Sequence, residues 1–188
     1  MKTVFRLCLY ILLLMTVIGA YPQSDNSSAA HSSAIRNIIA FFSTPVDYSR
    51  DPVYMDRKTF EDRILGHTWE SQREAGRSRF EKETDSTYLA RIIWVPDSHF
   101  TDGKPPLDFR NPEKSKRLNP IIGLVYSSGI KYVDGKWIAP YLYHPNFGIT
   151  AGKGVIFFNK EGDLIVRGTK WGFSATECYK IVDFTPDI

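Results

Sequence analysis

Between Asn119 and Gly168 four short strand signals alternate with three turn signals and almost no residues to spare, which restricts this stretch to a run of antiparallel strands. Ile121 to Tyr126 is a short apolar run, Trp137 to Tyr143 is aromatic and aliphatic, Ala151 to Phe158 ends in Val-Ile-Phe-Phe, and Asp163 to Arg167 alternates. The turns are Val133-Asp134-Gly135-Lys136, His144-Pro145-Asn146-Phe147-Gly148 and Lys160-Glu161-Gly162-Asp163. Each supplies residues that accept positive φ or preset a bend, so the pattern is a hairpin meander. Pro140 interrupts one of these runs. Lacking a backbone donor, it demands an edge, a bulge or a poorly bonded position.

At the front, Lys2 and Arg6 precede an apolar run from Leu7 to Ile18, followed by Gly19-Ala20 and polar residues. This is the pattern of a secretory signal peptide over residues 1–20. The run is shorter than the roughly 20 apolar residues that a membrane-crossing helix needs, so no membrane span is expected once it is removed. The expected location is periplasmic or extracellular.

Cleavage after Ala20 removes two basic residues and no acid, which leaves a formal charge of +1 against +3 for the whole chain. A nucleic-acid partner calls for a basic stripe with interleaved aromatics. The cluster Lys114, Lys116 and Arg117 reads instead as a solvated loop, and no nucleic acid is expected. Of the two cysteines, Cys8 leaves with the signal, so Cys178 has no intramolecular disulfide partner and stability rests on packing.

Residues 21–56 read as a flexible lead-in, poor in side chains to bury, with an apolar island at Ile35 to Phe42. The barrel domain is expected over 57–188. Asp56 is the expected N-cap of a short helix over Arg57 to Leu65, with Phe60 and Ile64 on one face. From Thr68 strand signals dominate: Thr68 to Arg73, Arg77 to Lys82, then Ser86 to Val95, in which Tyr88, Ala90, Ile92 and Trp94 share a face. With Lys131-Tyr132 and Glu177 to Asp183 the count reaches eight or nine. About eight strands close into a barrel that holds side chains or one small ligand. The fold class is therefore all-β: an antiparallel up-and-down barrel of about eight strands preceded by a short helix.

Pro96 to Asn119 breaks the regularity with four prolines. Asn111-Pro112-Glu113 resembles a helix start, and the segment is either a surface crossover or a lid.

Asp102-Gly103-Lys104-Pro105, Asp108, Asn111-Pro112, Arg117, Pro120-Ile121-Ile122-Gly123-Leu124, Trp137, Tyr143-His144-Pro145-Asn146-Phe147-Gly148 and Leu164-Ile165-Val166-Arg167-Gly168 follow one another in an order that resembles a bacterial family. It is the domain-of-unknown-function family numbered twenty-one forty-seven, exported proteins with a lipocalin-like barrel. The resemblance runs from about Gly66 to Val182. It implies fold and export, with Asp108, Asn111, Gly123 and Gly148 as structural positions, and brings no reaction or cofactor. The chain departs from the pattern at His144, at Pro140 and at Cys178-Tyr179-Lys180. Lipocalin-like barrels stack a late-strand cation on the first-strand tryptophan, which here implies Lys180 over Trp69, a contact worth about 0.5–2 kcal/mol.

No catalytic constellation assembles. His31, His67, His99 and His144 form no metal-ligand pair at a recognised spacing, Ser127-Ser128-Gly129 lacks the flanking glycine of a nucleophile elbow, and Cys178 reads as an inert barrel residue. No cofactor or metal is expected. A small apolar or amphiphilic ligand in the barrel would meet Trp94, Trp137, Tyr141, Tyr143, His144 and Arg167. The alternative is a non-catalytic envelope or secreted interaction module with a filled barrel. Arg167 is either interior, where it needs an anionic ligand or an acid such as Asp108, or exterior.

Overall fold

Helix α1, Arg57–Ile64, begins where Asp56 Oδ1 accepts from Thr59 N at 3.0 Å, in the computed structural model that describes residues 52–170 and 173–182. All of these belong to the unit Phe42–Ile188, so the expected signal segment and most of the lead-in lie outside the described residues. The helix buries Phe60 and Ile64, one turn apart, and is followed by Gly66 at φ 76°, a left-handed turn that reverses the chain into the first strand.

Among the described residues ten strands follow: β1 Thr68–Ser71, β2 Arg77–Lys82, β3 Tyr88–Trp94, β4 Val125–Val133, β5 Lys136–Ala139, β6 Leu142–His144, β7 Ile149–Ala151, β8 Lys153–Phe158, β9 Leu164–Lys170 and β10 Phe173–Val182. Eight of them close a barrel in the order β1-β10-β9-β8-β5-β4-β3-β2, each pairing antiparallel, while β6 and β7 form a separate two-stranded sheet. The expected all-β barrel with a short leading helix is the fold observed.

Two expected strands are divided. The Trp137 to Tyr143 run leaves the barrel at the exposed Pro140, and the Ala151 to Phe158 run is broken at Gly152, so that the residues between form the β6–β7 hairpin. A proline cannot donate to the ladder, and here it marks the exit of a strand rather than an irregularity within it. Ile121 to Leu124 likewise stays outside β4. Its Gly123 takes φ 93°, donates from N to Ile92 O at 2.8 Å and accepts from Arg91 Nη1 at 3.0 Å, which ties the loop end to β3.

The core fills the helix end of the barrel with aromatic rings. Phe60 meets Phe158 at 5.2 Å and Trp137 at 5.3 Å, Tyr88 stacks on Trp137 at 4.1 Å, and Trp69 meets Phe158 at 5.8 Å. Each such side chain stabilises by about 1.5–3 kcal/mol on burial, and favourable ring pairs add about 0.5–1.5 kcal/mol.

The expected cation–π lock does not form. Lys180 pairs with Glu70 in register, one residue out of phase with the inward Trp69, and is exposed on the outer face. Trp69 is instead fixed by its own Nε1, which donates to Ile64 O at 3.0 Å, and cations at this end lie over other rings, Arg63 4.4 Å from Phe158 and Arg57 5.9 Å from Tyr88. The strand period of two decides the matter: Trp69 points inward, so a residue paired with its neighbour points out.

Candidate functional site

Alternation of antiparallel strands places α1 at one end of the barrel and the β1–β2 turn, the 96–119 loop and the β6–β7 hairpin at the other. Here the barrel wall becomes small. Ala139, Gly154 and Gly168 are successive cross-strand partners on β5, β8 and β9. The hairpin fills the room they leave. A Cβ added at Gly154 would lie 2.5 Å from Leu142 Cδ1, and one at Gly168 would lie 3.1 Å from Ala151 Cβ. Leu142 and Ala151 are themselves paired across the hairpin, so one face of it packs onto the inside of the barrel.

Side chains from three elements hold the hairpin in place. The Tyr143 hydroxyl donates to Asp108 Oδ1 at 2.6 Å, and Asn111 Nδ2 donates to Asp108 Oδ2 at the same distance. Asn111 also accepts from Glu113 N through Oδ1 at 2.9 Å, and its carbonyl accepts from Arg117 Nε at 2.8 Å. Gly148, at φ 63°, sits so close to Arg110 that a Cβ would fall 2.1 Å from its carbonyl oxygen. On the other side Glu74 of the β1–β2 turn accepts from Asn146 Nδ2 at 3.2 Å and faces His144 Nε2 at 3.4 Å. Burial, with Arg73 in support and Glu74 in opposition, holds His144 below its ordinary value. Ser127 Oγ donates to Tyr141 O at 2.7 Å, and Ser128 Oγ lies 2.9 Å from the Tyr141 hydroxyl.

Below the hairpin the interior carries polar groups. Ser71 Oγ donates to Glu177 Oε1 at 2.7 Å, Arg73 N donates to the same oxygen at 3.2 Å, and the Arg73 guanidinium lies 3.8 Å from Oε2. Burial raises the Glu177 carboxyl, against the pull of Ser71 and Arg73. Tyr126 is buried, and its hydroxyl makes no well-formed hydrogen bond. Desolvation pushes it up to about 12, although the hydroxyls of Ser78 and Tyr179 pull the other way. Tyr179 is raised for the same first reason, then by Tyr126.

The residues singled out from the sequence do not converge on one cavity. Trp137 is fully buried in the aromatic end, stacked on Tyr88. Trp94 lies 4.2 Å under Arg77, whose Nε donates to Glu70 at 2.8 Å on the side of β1 opposite Trp69. Tyr141, Tyr143 and His144 do come together, on or beside the hairpin. Arg167 is exterior: its neighbours Leu164 and Val166 belong to the inner core, while it shares the outer face with Phe157, 5.5 Å from that ring, and donates to Thr176 Oγ1 at 3.2 Å. Asp108 is not its partner, being committed to Tyr143 and Asn111. The 96–119 loop does not cover the mouth alone; it braces the hairpin that does. Cys178 is buried on the outer face with Phe157 and Ile165, and burial with Asp163 nearby pushes its thiol up to about 12.

Sequence reasoning missed Tyr126, Tyr179, Glu177, Glu74 and Leu142. Tyr179 and Glu177 share strand parity with the core residues of β9, a signal available in principle. Leu142 gave none, because its role depends on glycines far along the chain. Among the described residues no group of three His, Cys, Asp or Glu is placed to hold a metal ion, and no helix is long and apolar enough to cross a membrane.

No protein-family model and no curated protein matches the chain, so no comparison supports the resemblance to family twenty-one forty-seven. Among solved structures, protein HP1028 from the human pathogen Helicobacter pylori, described as belonging to the lipocalin family, is similar at 21% identity and a TM-score of 0.52, over 63% of this chain and 83% of that one. The likeness is one of fold, and together with the closed eight-stranded barrel it makes this chain a lipocalin-like barrel.

Proposed function

We propose that this chain is a non-catalytic binding protein that takes a small, largely apolar ligand into the hairpin-covered half of its barrel. The observation that carries the reading is the way this half is filled. A side chain from a separate two-stranded sheet, Leu142, occupies space left by Ala139, Gly154 and Gly168, whereas the other half is packed by rings of the barrel and helix themselves. Withdrawing the hairpin exposes an apolar groove edged by the hydroxyls of Ser78, Tyr126 and Tyr179. Eight-stranded barrels commonly hold one small ligand. The charged groups on this side, Glu177 and Arg73, face each other, so the ligand's polar group is taken to be uncharged and hydrogen-bonding rather than anionic.

Protein purified gently from its native host should carry a small molecule visible by native mass spectrometry. Long-chain alcohols and amides should raise the melting temperature of the stripped protein by mass action. Gly168→Trp, which fills the groove, should abolish that rise while leaving a folded barrel. Absence of any co-purifying molecule, with no thermal response to the panel, removes the carrier reading. The solidly packed aromatic end then favours a filled barrel serving as an interaction module. We place either activity outside the cytoplasm on the strength of the apolar Leu7 to Ile18 segment, a reading that cell fractionation and N-terminal sequencing would check.

A further inference from the structure

The loop joining β3 to β4 presents two large apolar side chains to solvent. Asp108 N donates to Asn119 O at 2.9 Å and Leu107 bridges to Pro120, which pinches the loop at its neck. The next residues along the two segments, Phe109 and Leu118, are 63% and 74% exposed. Around them stand Arg110, Lys114, Lys116 and Arg117 against one exposed acid, Glu113, which Lys116 Nζ already engages at 2.8 Å, Asp108 being buried. Arg110, Lys114 and Lys116 are exposed, while Arg117 is anchored on the Asn111 carbonyl. The backbone beneath is fixed by the Asp108 network and by the close approach of Gly148 to Arg110.

An aromatic and an aliphatic side chain on a held loop, ringed by cations, match the boundary between lipid headgroups and acyl chains, where apolar groups insert and basic ones meet phosphates. We propose that Phe109 and Leu118, with Arg110, Lys114 and Lys116 around them, dock this rim of the barrel on an anionic lipid surface. A protein partner is a poorer fit. A stable interface buries about 800 Å² per partner, and two projecting side chains on a loop offer far less, whereas a bilayer accepts shallow insertion of a few groups. The docking does not depend on what the barrel holds, so it stands or falls separately from ligand binding.

The test uses the full chain with vesicles of phosphatidylcholine, alone or mixed with phosphatidylglycerol, reading hydrogen exchange of the 105–120 segment and co-sedimentation. The apolar run near the start is present in every sample, so the loop is followed by its own exchange. On mixed vesicles the segment should gain protection, and on phosphatidylcholine alone it should not. Phe109→Ser with Leu118→Ser should weaken binding about tenfold or more. Arg110→Gln and Lys114→Gln should each weaken it about fivefold and flatten its salt dependence. Unchanged unfolding midpoints would show that the variants fold. An unprotected segment on anionic vesicles, wild-type binding by either set of variants, or protection conferred only by an acidic protein partner would overturn the proposal.

Discussion

Tyr143 on the hairpin and Asp108 in the β3–β4 loop meet in a hydrogen bond of 2.6 Å, and through it two connections far apart in sequence become one cover over the barrel mouth. The carboxylate is almost wholly buried and has Asn111 Nδ2 on its second oxygen. Removing one partner therefore leaves a charge short of a donor rather than merely losing a contact.

Tyr143→Phe should destabilise by about 1.5–3 kcal/mol, the range for a hydrogen bond to a charged group. Asp108→Asn should cost a similar amount, and the double variant less than the sum, with a coupling on the order of 1 kcal/mol or more. Denaturant unfolding of the three variants measures this. Strict additivity would mean that the loop and hairpin are held independently.

Gly154 and Leu142 offer a second cycle, built on a clash rather than on a hydrogen bond. A methyl at Gly154 collides with Leu142 Cγ and Cδ1 at 2.6 and 2.5 Å. Gly154→Ala should accordingly cost about 1–3 kcal/mol through overpacking and force the hairpin outward. In a Leu142→Ala background the same change should cost much less, because most of the space it needs has been vacated and the Ala139 Cβ, 3.0 Å away, is the close contact left. Equal cost in both backgrounds would show that the hairpin does not sit in the groove.

These two contacts show where reading the sequence succeeds and where it stops. Asp134-Gly135, His144 to Gly148 and the Asp56 cap were legible because turn and cap chemistry is local. So were the alternating strands, whose inward sets follow from parity once one member is placed. The hairpin was not legible. Pro140 announced a disturbance, but whether a disturbed strand bulges or leaves the barrel depends on what fills the space beneath, and that is set by Gly154 and Gly168. Arg167 was undecidable for a related reason: β9 is apolar on both faces, Leu164 and Val166 inward and Ile165 outward, so composition gave no direction.

The same parity argument yields a test at Trp69. Since Lys180 is exposed and points away from it, Lys180→Ala should change stability by no more than about 0.5 kcal/mol, as for other surface positions. Trp69→Phe should lose both packing and the Nε1 bond to Ile64 O, and the two changes should be additive. Arg63→Ala, which removes the cation over Phe158, should be the costlier of the two cation deletions. A measurable coupling between positions 69 and 180 would contradict the register.

Acid should loosen the helix end first, and the reason is Glu61. This carboxylate accepts from the Tyr88 hydroxyl and from Arg57 Nε at 2.6 Å on one oxygen, and from Lys82 Nζ at 3.1 Å on the other. Partial burial works against the charged form, yet the bonds from Tyr88, Arg57 and Lys82 prevail and hold its pKa at about 2, against 4.5 for the free side chain. The folded state thus keeps the charge that the unfolded chain gives up first. The stability it contributes is fully present above about 4.5 and is lost as pH falls through that value toward about 2. Glu61→Gln should be less stable than the parent at neutral pH, and the gap between their melting temperatures should narrow across this window. The exchange of amides in α1 should report the same loss locally. A gap that stays constant from neutrality to pH 2 would mean that Glu61 is not the group that clamps the helix to β3.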